Sequence, residues 1–456
     1  MTIDELLKKV KNIHFIGIGG AGMCPIAEIM LSLGYRVTGS DNNDTETFRR
    51  IEKEGAKVFL GQCKENIADD VELVIYTNAI LKGNEELEYA KANFPCFERA
   101  DALGAISRIF ENCIGVCGTH GKTTTSSMIT QVLLEAGLDP SAVIGGKLPV
   151  IDAYGRYGHS QNFVCESCEF NNTFLKMNPD MAVILNVDED HLDFFGNLDN
   201  IKKSFRQFAD NTTKTIIYNG DDENTVDTLK GIEGKKLISV GRKDGNEWVA
   251  KNVVIPGGFN SHYDAYHNGE FVTRVELSVP GEHNILNSLC AFAAAFESGA
   301  DVRSICRGLK AFGGAGRRFE LLGEYKGITF VDDYAHHPAE IKVTLEAAKK
   351  MGYNNVWAVH QPFTFTRTHL LLNDFAEVLK IADKCVISAI MGSREVNEIG
   401  IKATDLSEKI PNSVQLDTFE EICDYVLDNA KTGDLVITLG CGDVYKVARM
   451  MVDRLK

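Results

Sequence analysis

Through its first hundred residues the chain alternates short apolar, β-branched runs with helical stretches. "NIHFIGI", "YRVTGSD", "KVFLG" and "VELVIYTNAI" are separated by segments such as "GMCPIAEIMLSLG" and "TETFRRIEKEG". Near-continuous apolar strands alternating with crossover helices are the pattern of a parallel sheet covered on both faces. After "ADALGAISRIFEN" the run "CIGVCG" opens a second block of this kind, which includes "NFVCES" and "DMAVILNVDEDH". Between about Thr212 and Pro280 shorter runs, "KTIIYNG" and "RVELSVPG" among them, read as sheet hairpins added to that block. A turn-rich "FGGAGRRFE" then leads to a third alternating block: "ITFVDDYAHHP", "NVWAVHQ", "KCVISAI" and "DLVITLGCGD". The pattern predicts an α/β protein of three domains, residues 1–107, 108–312 and 313–456, each built on a mainly parallel sheet. No solenoid repeat or low-complexity tract interrupts it.

Composition narrows the class. With 456 residues, 44% of them hydrophobic and 25% charged, the chain has ordinary globular make-up and enough length for about three domains. "MTIDELLKKVKN" has no apolar h-region, and runs such as "AFAAAF" fall well short of the ~20 residues that span a bilayer. A soluble, cytoplasmic protein without membrane insertion is expected. The formal net charge of −16 opposes nucleic acid and anionic membranes. An anionic substrate must therefore be gripped locally, by lysines, arginines, helix N-termini or a divalent cation. Twelve cysteines without a secretion signal fit a reducing compartment. Cys113, Cys117, Cys165 and Cys168 could be imagined as a zinc site, but only the last two have CxxC spacing.

Two glycine-rich loops carry the strongest chemical signals. In "VCGTHGKTTTSSM", Gly118, Thr119, His120, Gly121, Lys122, Thr123 and Thr124 lie between a strand and a helix. Backbone N–H groups and the positive helix end can cradle phosphate oxygens there, Lys122 can reach the terminal phosphates, and the Thr123 hydroxyl can ligate Mg²⁺. The string misses the GxxxxGK[ST] spacing by one residue, because Gly115 comes one position early. Upstream, "GIGGAGM" satisfies GxGxxG through Gly17, Gly19 and Gly22, with Gly20 as an additional glycine and Asp41 at the end of the next strand. That fingerprint by itself reads as a dinucleotide site, with NAD as the default ligand, and Asp41 can bind a ribose hydroxyl. The diphosphate of a different nucleotide fits equally well.

Further candidates sit at strand ends or in loops. Glu166 ends "NFVCE" and His191 follows "AVILNVDED". With Thr123 they could hold a metal against a triphosphate; alternatively Glu166 is a solvated edge acid and His191 a capping or core histidine. Asn284 and Asn287 open a small-residue helix, where amides can read a purine edge or, for Asn284, cap the helix. Arg317 and Arg318 form a basic pair that either faces phosphate or is solvated. Asp332 and Asp333 end an apolar strand and precede Tyr334, His336 and His337. Adjacent histidines on extended backbone point to opposite faces, so the pair is a poor site for one ion.

The strings "HFIGIGGAGM", "GTHGKTTT", "CESCEFNNTFL", "NVDEDHLDFF", "HNILNS", "GRRFE", "DDYAHHPAEI", "QPFTFTRT" and "LGCGDVYK" occur in the order and approximate spacing of the Mur ligases, and the chain resembles that family over essentially its whole length. The resemblance implies a Rossmann-like N-terminal domain, a P-loop ATPase-like centre and a Rossmann-like C-terminal domain. It also implies that the first loop holds the diphosphate of UDP-N-acetylmuramate, that the second holds ATP with Mg²⁺, and that the lactyl carboxylate is joined to the amine of L-alanine. A monomer or homodimer would suffice. On this resemblance Lys122 and Thr123 match the phosphate lysine and Mg²⁺ hydroxyl, Glu166 and His191 the metal-site acid and histidine, and Asn284 and Asn287 the nucleotide-contact asparagines. Arg318 matches the "RRF" arginine and Asp333 the acid of the C-terminal domain, with Tyr334 and His336 at the muramoyl and amino-acid end. Three departures stand out. Cys168 replaces an acid of the usual "EADES" motif; "HQPF" exchanges His360 and Phe363 relative to "FQPH", although Arg367 still matches; and Arg206 lies near the offset where sister ligases carbamoylate a lysine.

Overall fold

The computed structural model describes residues 1–256, 260–393 and 395–456, and the backbone alone of Asp193. It contains three sheets. The first is built from β1 (Asn12–Ile16), β2 (Arg36–Asp41), β3 (Lys57–Leu60), β4 (Leu73–Tyr76) and β5 (Cys96–Glu98), in the order β3-β2-β1-β4-β5. Every pairing in it is parallel. The order reverses direction at β1, so the turn after β1 opens at a topological switch point, the usual ligand crevice of such sheets. The "GIGGAG" loop is that turn. The helix that follows, Cys24–Ser32, starts with proline in its first turn and buries Ile26, Ala27, Ile29 and Met30.

The second sheet comprises β6 (Asn112–Cys117), β7 (Ser141–Leu148), β8 (Ala153–Arg156), β9 (Asn162–Glu166), β10 (Met181–Ile184), β11 (Thr215–Asn219), β12 (Lys236–Gly241), β13 (Trp248–Val254), β14 (Ser261–His267) and β15 (Glu270–Leu277). Its order is β15-β14-β13-β12-β11-β10-β6-β9-β7-β8. The expectation of added hairpins fails for β11 and β12: each is parallel to its neighbour on the β10 side. The seven-residue helix Glu223–Leu229, capped by the Asp222 side chain, makes the crossover between them. Short runs looked like hairpin strands because so brief a crossover helix leaves little periodicity to read.

The third sheet contains β16 (Glu320–Tyr325), β17 (Ile328–Asp333), β18 (Val356–His360), β19 (Lys384–Ile387), β20 (Ser413–Gln415) and β21 (Leu435–Leu439), in the order β16-β17-β21-β18-β19-β20. Only β16 runs antiparallel, on β17. Two apolar clusters flank this sheet. Val331, Ala358, Ile387 and Ile437 point to one and Phe330, Val359, Val386 and Val436 to the other, as alternation along strands covered on both faces requires.

By packing, the chain forms two compact units. The first two sheets belong to one (Met1–Asn252, Tyr263–Val275, Ile285–Leu309), and the third sheet belongs to the other (Val253–His262, Glu276–Asn284, Lys310–Lys456). Among the described residues no helix is long and apolar enough to cross a membrane.

Candidate functional site

The P-loop turn leaves β6, the strand between β10 and β9, and enters the helix Lys122–Glu135. Gly118 (φ 141°) and Gly121 (φ 88°) take positive φ, conformations that side chains disfavour. A β-carbon on Gly121 would lie 2.7 Å from Asn287 Oδ1, so Asn287 packs directly on the loop. Asn186 ties the loop down from β10's side: its Oδ1 accepts the His120 N–H at 2.8 Å, and its Nδ2 donates to the His120 carbonyl at 3.0 Å. Thr119 Oγ1 accepts the Asp188 N–H at 2.9 Å. Neither Asn186 nor Asp188 stood out in the sequence, where both lie inside an acidic string.

Lys122 is the first residue of the helix. Its Nζ donates to the Gly118 carbonyl at 2.6 Å, the Thr119 carbonyl at 3.1 Å and Glu169 Oε1 at 2.9 Å. Burial alone would lower its pKa, but the Glu169 carboxylate and further negative charge nearby outweigh burial and raise it. The ammonium is therefore fixed as a cation. Thr123 Oγ1 donates to Glu166 Oε2 at 2.7 Å, and the same oxygen accepts the Gly145 N–H at 3.0 Å. Glu166 ends a strand flanked on both sides, by β6 and β7, and so is not a solvated edge acid.

His191 has left-handed backbone (φ 50°, ψ 39°) at the start of the short helix Leu192–Phe195, and its side chain makes no capping bond. Its ring lies 4.7 Å from that of Phe170, and the residue is partly exposed. It is neither a capping nor a core histidine. Among the described residues no group of three or more His, Cys, Asp and Glu side chains is gathered as a metal site. The adjoining hydroxyl and carboxylate oxygens of Thr123 and Glu166 do suit a hard divalent cation that completes its shell with phosphate and water.

At the first loop, Gly17 has φ 87°, and its N–H and that of Ile18 both donate to the Ser40 carbonyl. Asp41 sits where the sequence placed it, with both oxygens on backbone: Oδ2 accepts the Gly19 N–H and Oδ1 the Asn43 N–H, each at 3.0 Å. Thr45 and Thr47 hydroxyls donate to the Gly19 carbonyl. A side chain at Gly17 would collide at once, its β-carbon falling 2.5 Å from Thr77 Cγ2; at Gly19 and Gly20 the nearest atoms lie 3.0 and 3.3 Å away, a tight fit that needs the neighbours to shift slightly. Arg99, which the sequence reading passed over, brings its guanidinium within 3.5 Å of where a Gly22 β-carbon would be, and it forms no ion pair among the described residues.

In the other unit the C-terminal motifs converge at the end of β17. Asp333 accepts the Phe319 N–H and the Ala335 N–H, each at 2.7 Å, and so anchors the "GRRFE" turn, in which Arg317 and Phe319 have positive φ. Burial raises the Asp333 pKa to about 6, against the pull of Arg318 and these two donors. Arg317 is not solvated: it pairs with buried Asp332 at 3.0 Å. Arg317 and Arg318 both lie over the Tyr334 ring, at 5.0 and 5.3 Å. His336 Nδ1 lies 3.3 Å from Glu340 Oε2, yet burial holds the imidazole's pKa below its usual value. His360 is fully buried, with Nδ1 donating to the Leu439 carbonyl and a pKa pushed down to about 4, so the exchanged histidine is a neutral core residue. Asn284 Nδ2 donates to the Pro280 carbonyl at 2.7 Å.

Three family models match in tandem: the Mur ligase family catalytic domain over residues 12–111, the Mur ligase middle domain over 116–295 and the Mur ligase glutamate ligase domain over 317–442. The chain belongs to the Mur ligase family. Among its relatives, the UDP-N-acetylmuramate–L-alanine ligase of Caldanaerobacter subterraneus subsp. tengcongensis is 41% identical, with all of both chains covered. That of Lachnospira eligens is 42% identical over 96% of each. Among solved structures, the UDP-N-acetylmuramate-alanine ligase of Thermotoga maritima superposes with a TM-score of 0.83 at 26% identity, over 97% of this chain and 98% of its own.

Proposed function

We infer that the protein ligates L-alanine to UDP-N-acetylmuramate at the expense of ATP, giving UDP-N-acetylmuramoyl-L-alanine, ADP and phosphate for peptidoglycan precursor synthesis. The observation that carries this reading is one P-loop holding Lys122, Thr123 and Glu166 together in a chain 41–42% identical, end to end, to ligases of that activity. A carboxylate is a poor acyl donor, and transfer of the γ-phosphoryl group to the lactyl carboxylate makes the acyl phosphate that the alanine amine attacks. Carboxylate and triphosphate repel each other by about 4 kcal/mol for unit charges ~4 Å apart at an effective dielectric of 20, so cations must offset the approach.

Lys122 supplies one such charge. Thr123, Glu166 and His191 would hold Mg²⁺, which when bound neutralises phosphate charge. Gly118, Thr119, His120, Gly121 and Thr124 belong to the ATP cradle and Asn284 and Asn287 to the nucleotide's base end. The first loop, through Gly17, Gly19, Gly20, Gly22 and Asp41, takes the UDP-sugar, with Arg99 placed to face its diphosphate. Arg318 and Asp333 supply the basic and acidic groups of the C-terminal motifs, and Tyr334 and His336 belong to the muramoyl and amino-acid end, where a neutral imidazole can accept a proton from the attacking amine. We place the enzyme in the cytoplasm, where ATP and the UDP-sugar are found.

A second reading draws on the murein peptide ligase of Psychrobacter arcticus, which superposes with a TM-score of 0.74 at 26% identity. On that reading the amine donor is a preformed peptide. Phosphate release with UDP-N-acetylmuramate, ATP and Mg²⁺ separates the two: L-alanine should support turnover and a tripeptide should not. Turnover with the tripeptide alone would reverse the assignment.

A further inference from the structure

The lysine of the P-loop has no hydrogen left to give. An ammonium carries three N–H donors, and in Lys122 all three are committed within the protein, to the carbonyls of Gly118 and Thr119 and to Glu169 Oε1. The two carbonyls are neutral and belong to the loop itself. Glu169 is the charged acceptor, and charge-assisted bonds of this kind are the strong ones. Its carboxylate is buried, 2% exposed, and its second oxygen accepts no hydrogen bond from any described residue. A buried carboxylate held by one cation is costly to abandon, because the charge left behind is neither hydrated nor paired.

A triphosphate arriving at this loop needs at least one of the three donors, and the other anion already bound to Lys122 is its direct competitor. We propose that Glu169 is a positioning residue that stands in for phosphate on Lys122 when the loop is empty, so that ATP must displace an internal anion and its affinity is set below what the loop alone would give. The proposal rests on the reading of Lys122 as the ATP-phosphate lysine. Glu169 touches no substrate in this account; it acts through the lysine it aims.

The test measures ATP binding to the full-length protein by calorimetry, without the UDP-sugar, for the wild type, Glu169→Gln, Lys122→Met and the double variant. Glutamine keeps the shape and removes the charge, and Glu169→Gln should tighten ATP binding on the order of tenfold, within the usual range of coupled sites. The gain should vanish when Lys122→Met is the background. Equal tightening in both backgrounds would reduce Glu169 to a nearby negative charge acting without the lysine, and unchanged or weaker binding by Glu169→Gln would make it a structural brace; either result overturns the proposal. Unaltered binding of UDP-N-acetylmuramate at the other loop certifies folding. Should Lys122→Met fail to fold, Lys122→Gln replaces it as the background, and unchanged or weaker ATP binding by Glu169→Gln overturns the proposal in either case. If the double variant binds ATP as tightly as Glu169→Gln alone, the phosphate role of Lys122 falls, and the proposal with it.

Discussion

If both glycine-rich loops of this compact unit take anions, as proposed, they meet the problem in opposite ways. The loop after β1 is held by backbone and by uncharged or acidic acceptors: Ser40 takes the Gly17 and Ile18 N–H groups, and Asp41 takes that of Gly19. Its cation, Arg99, comes from a helix far along the chain and forms no ion pair among the described residues. The loop after β6 carries its own cation, and that cation is already neutralised by Glu169. A preorganised loop with an unpaired arginine should bind anions without rearrangement, whereas a loop whose lysine is paired must exchange partners first. The first arrangement suits a substrate that is carried through the reaction, and the second a triphosphate whose charge is redistributed during it.

The sharpest break of this contrast is Lys122→Ala. Turnover should fall on the order of 10²–10³-fold, because a charge aimed at the transferring phosphoryl group is lost, while UDP-N-acetylmuramate binds as in the wild type. Calorimetry and a phosphate-release assay together check it, and near-normal turnover would remove the lysine from the mechanism. Next in size is the behaviour of a buried carboxylate that forms no ion pair among the described residues. Asp333 relies on two backbone N–H donors, and its pKa rises to about 6. A carboxyl that holds its proton more tightly folded than unfolded loses folding free energy as pH climbs from the unfolded pKa near 4 to the folded value near 6. The loss is on the order of 2–3 kcal/mol at the full shift and constant above it. Asp333→Asn cannot titrate, so the wild type should lose stability relative to the variant across pH 4–6 in denaturant melts. A pH-independent difference would refute the shift.

Much of this was legible in the sequence, because loop-forming glycines, Lys122 and Thr123 act within a few residues of one another and strand ends fall where apolar runs stop. Glu166 was found from its place at the end of "NFVCE". Glu169 was not, although it lies three residues on: its partner is 47 residues away in sequence, and no periodicity links a carboxylate to a lysine across two strand-to-helix turns. The "HQPF" exchange put any role for that histidine in doubt, and burial makes His360 part of the core. Asp41 shows the reverse limit. Its position was readable, but whether its oxygens face a ribose or their own loop depends on where the Gly19 and Asn43 N–H groups point.

Smaller effects should resolve how the first loop is kept in shape. Gly17→Ala puts a β-carbon at positive φ, 2.5 Å from Thr77 Cγ2, which costs roughly 1–2 kcal/mol from the backbone alone. UDP-sugar affinity should fall by about tenfold or somewhat more, with ATP affinity unchanged. Equal loss at both loops would mean that they are not independent sites.

Asp41→Asn is the mildest and most specific test. The amide keeps one acceptor oxygen and turns an NH₂ group toward the other backbone N–H, so either the Gly19 or the Asn43 bond is lost. One lost hydrogen bond to a charged acceptor at a partly exposed site is worth about 1 kcal/mol, so UDP-sugar affinity should weaken roughly fivefold. If Asp41 instead contacts the ribose while the loop stays as it is, the loss should disappear with a 2′,3′-dideoxy analogue of the UDP-sugar, because the contact that the variant removes is already missing. If Asp41 acts by holding Gly19, the same fivefold loss should persist with that analogue. The carboxylate's grip on two backbone donors favours the second outcome, and a loss confined to the hydroxylated ligand would show that the first loop, like the second, changes partners when its ligand arrives.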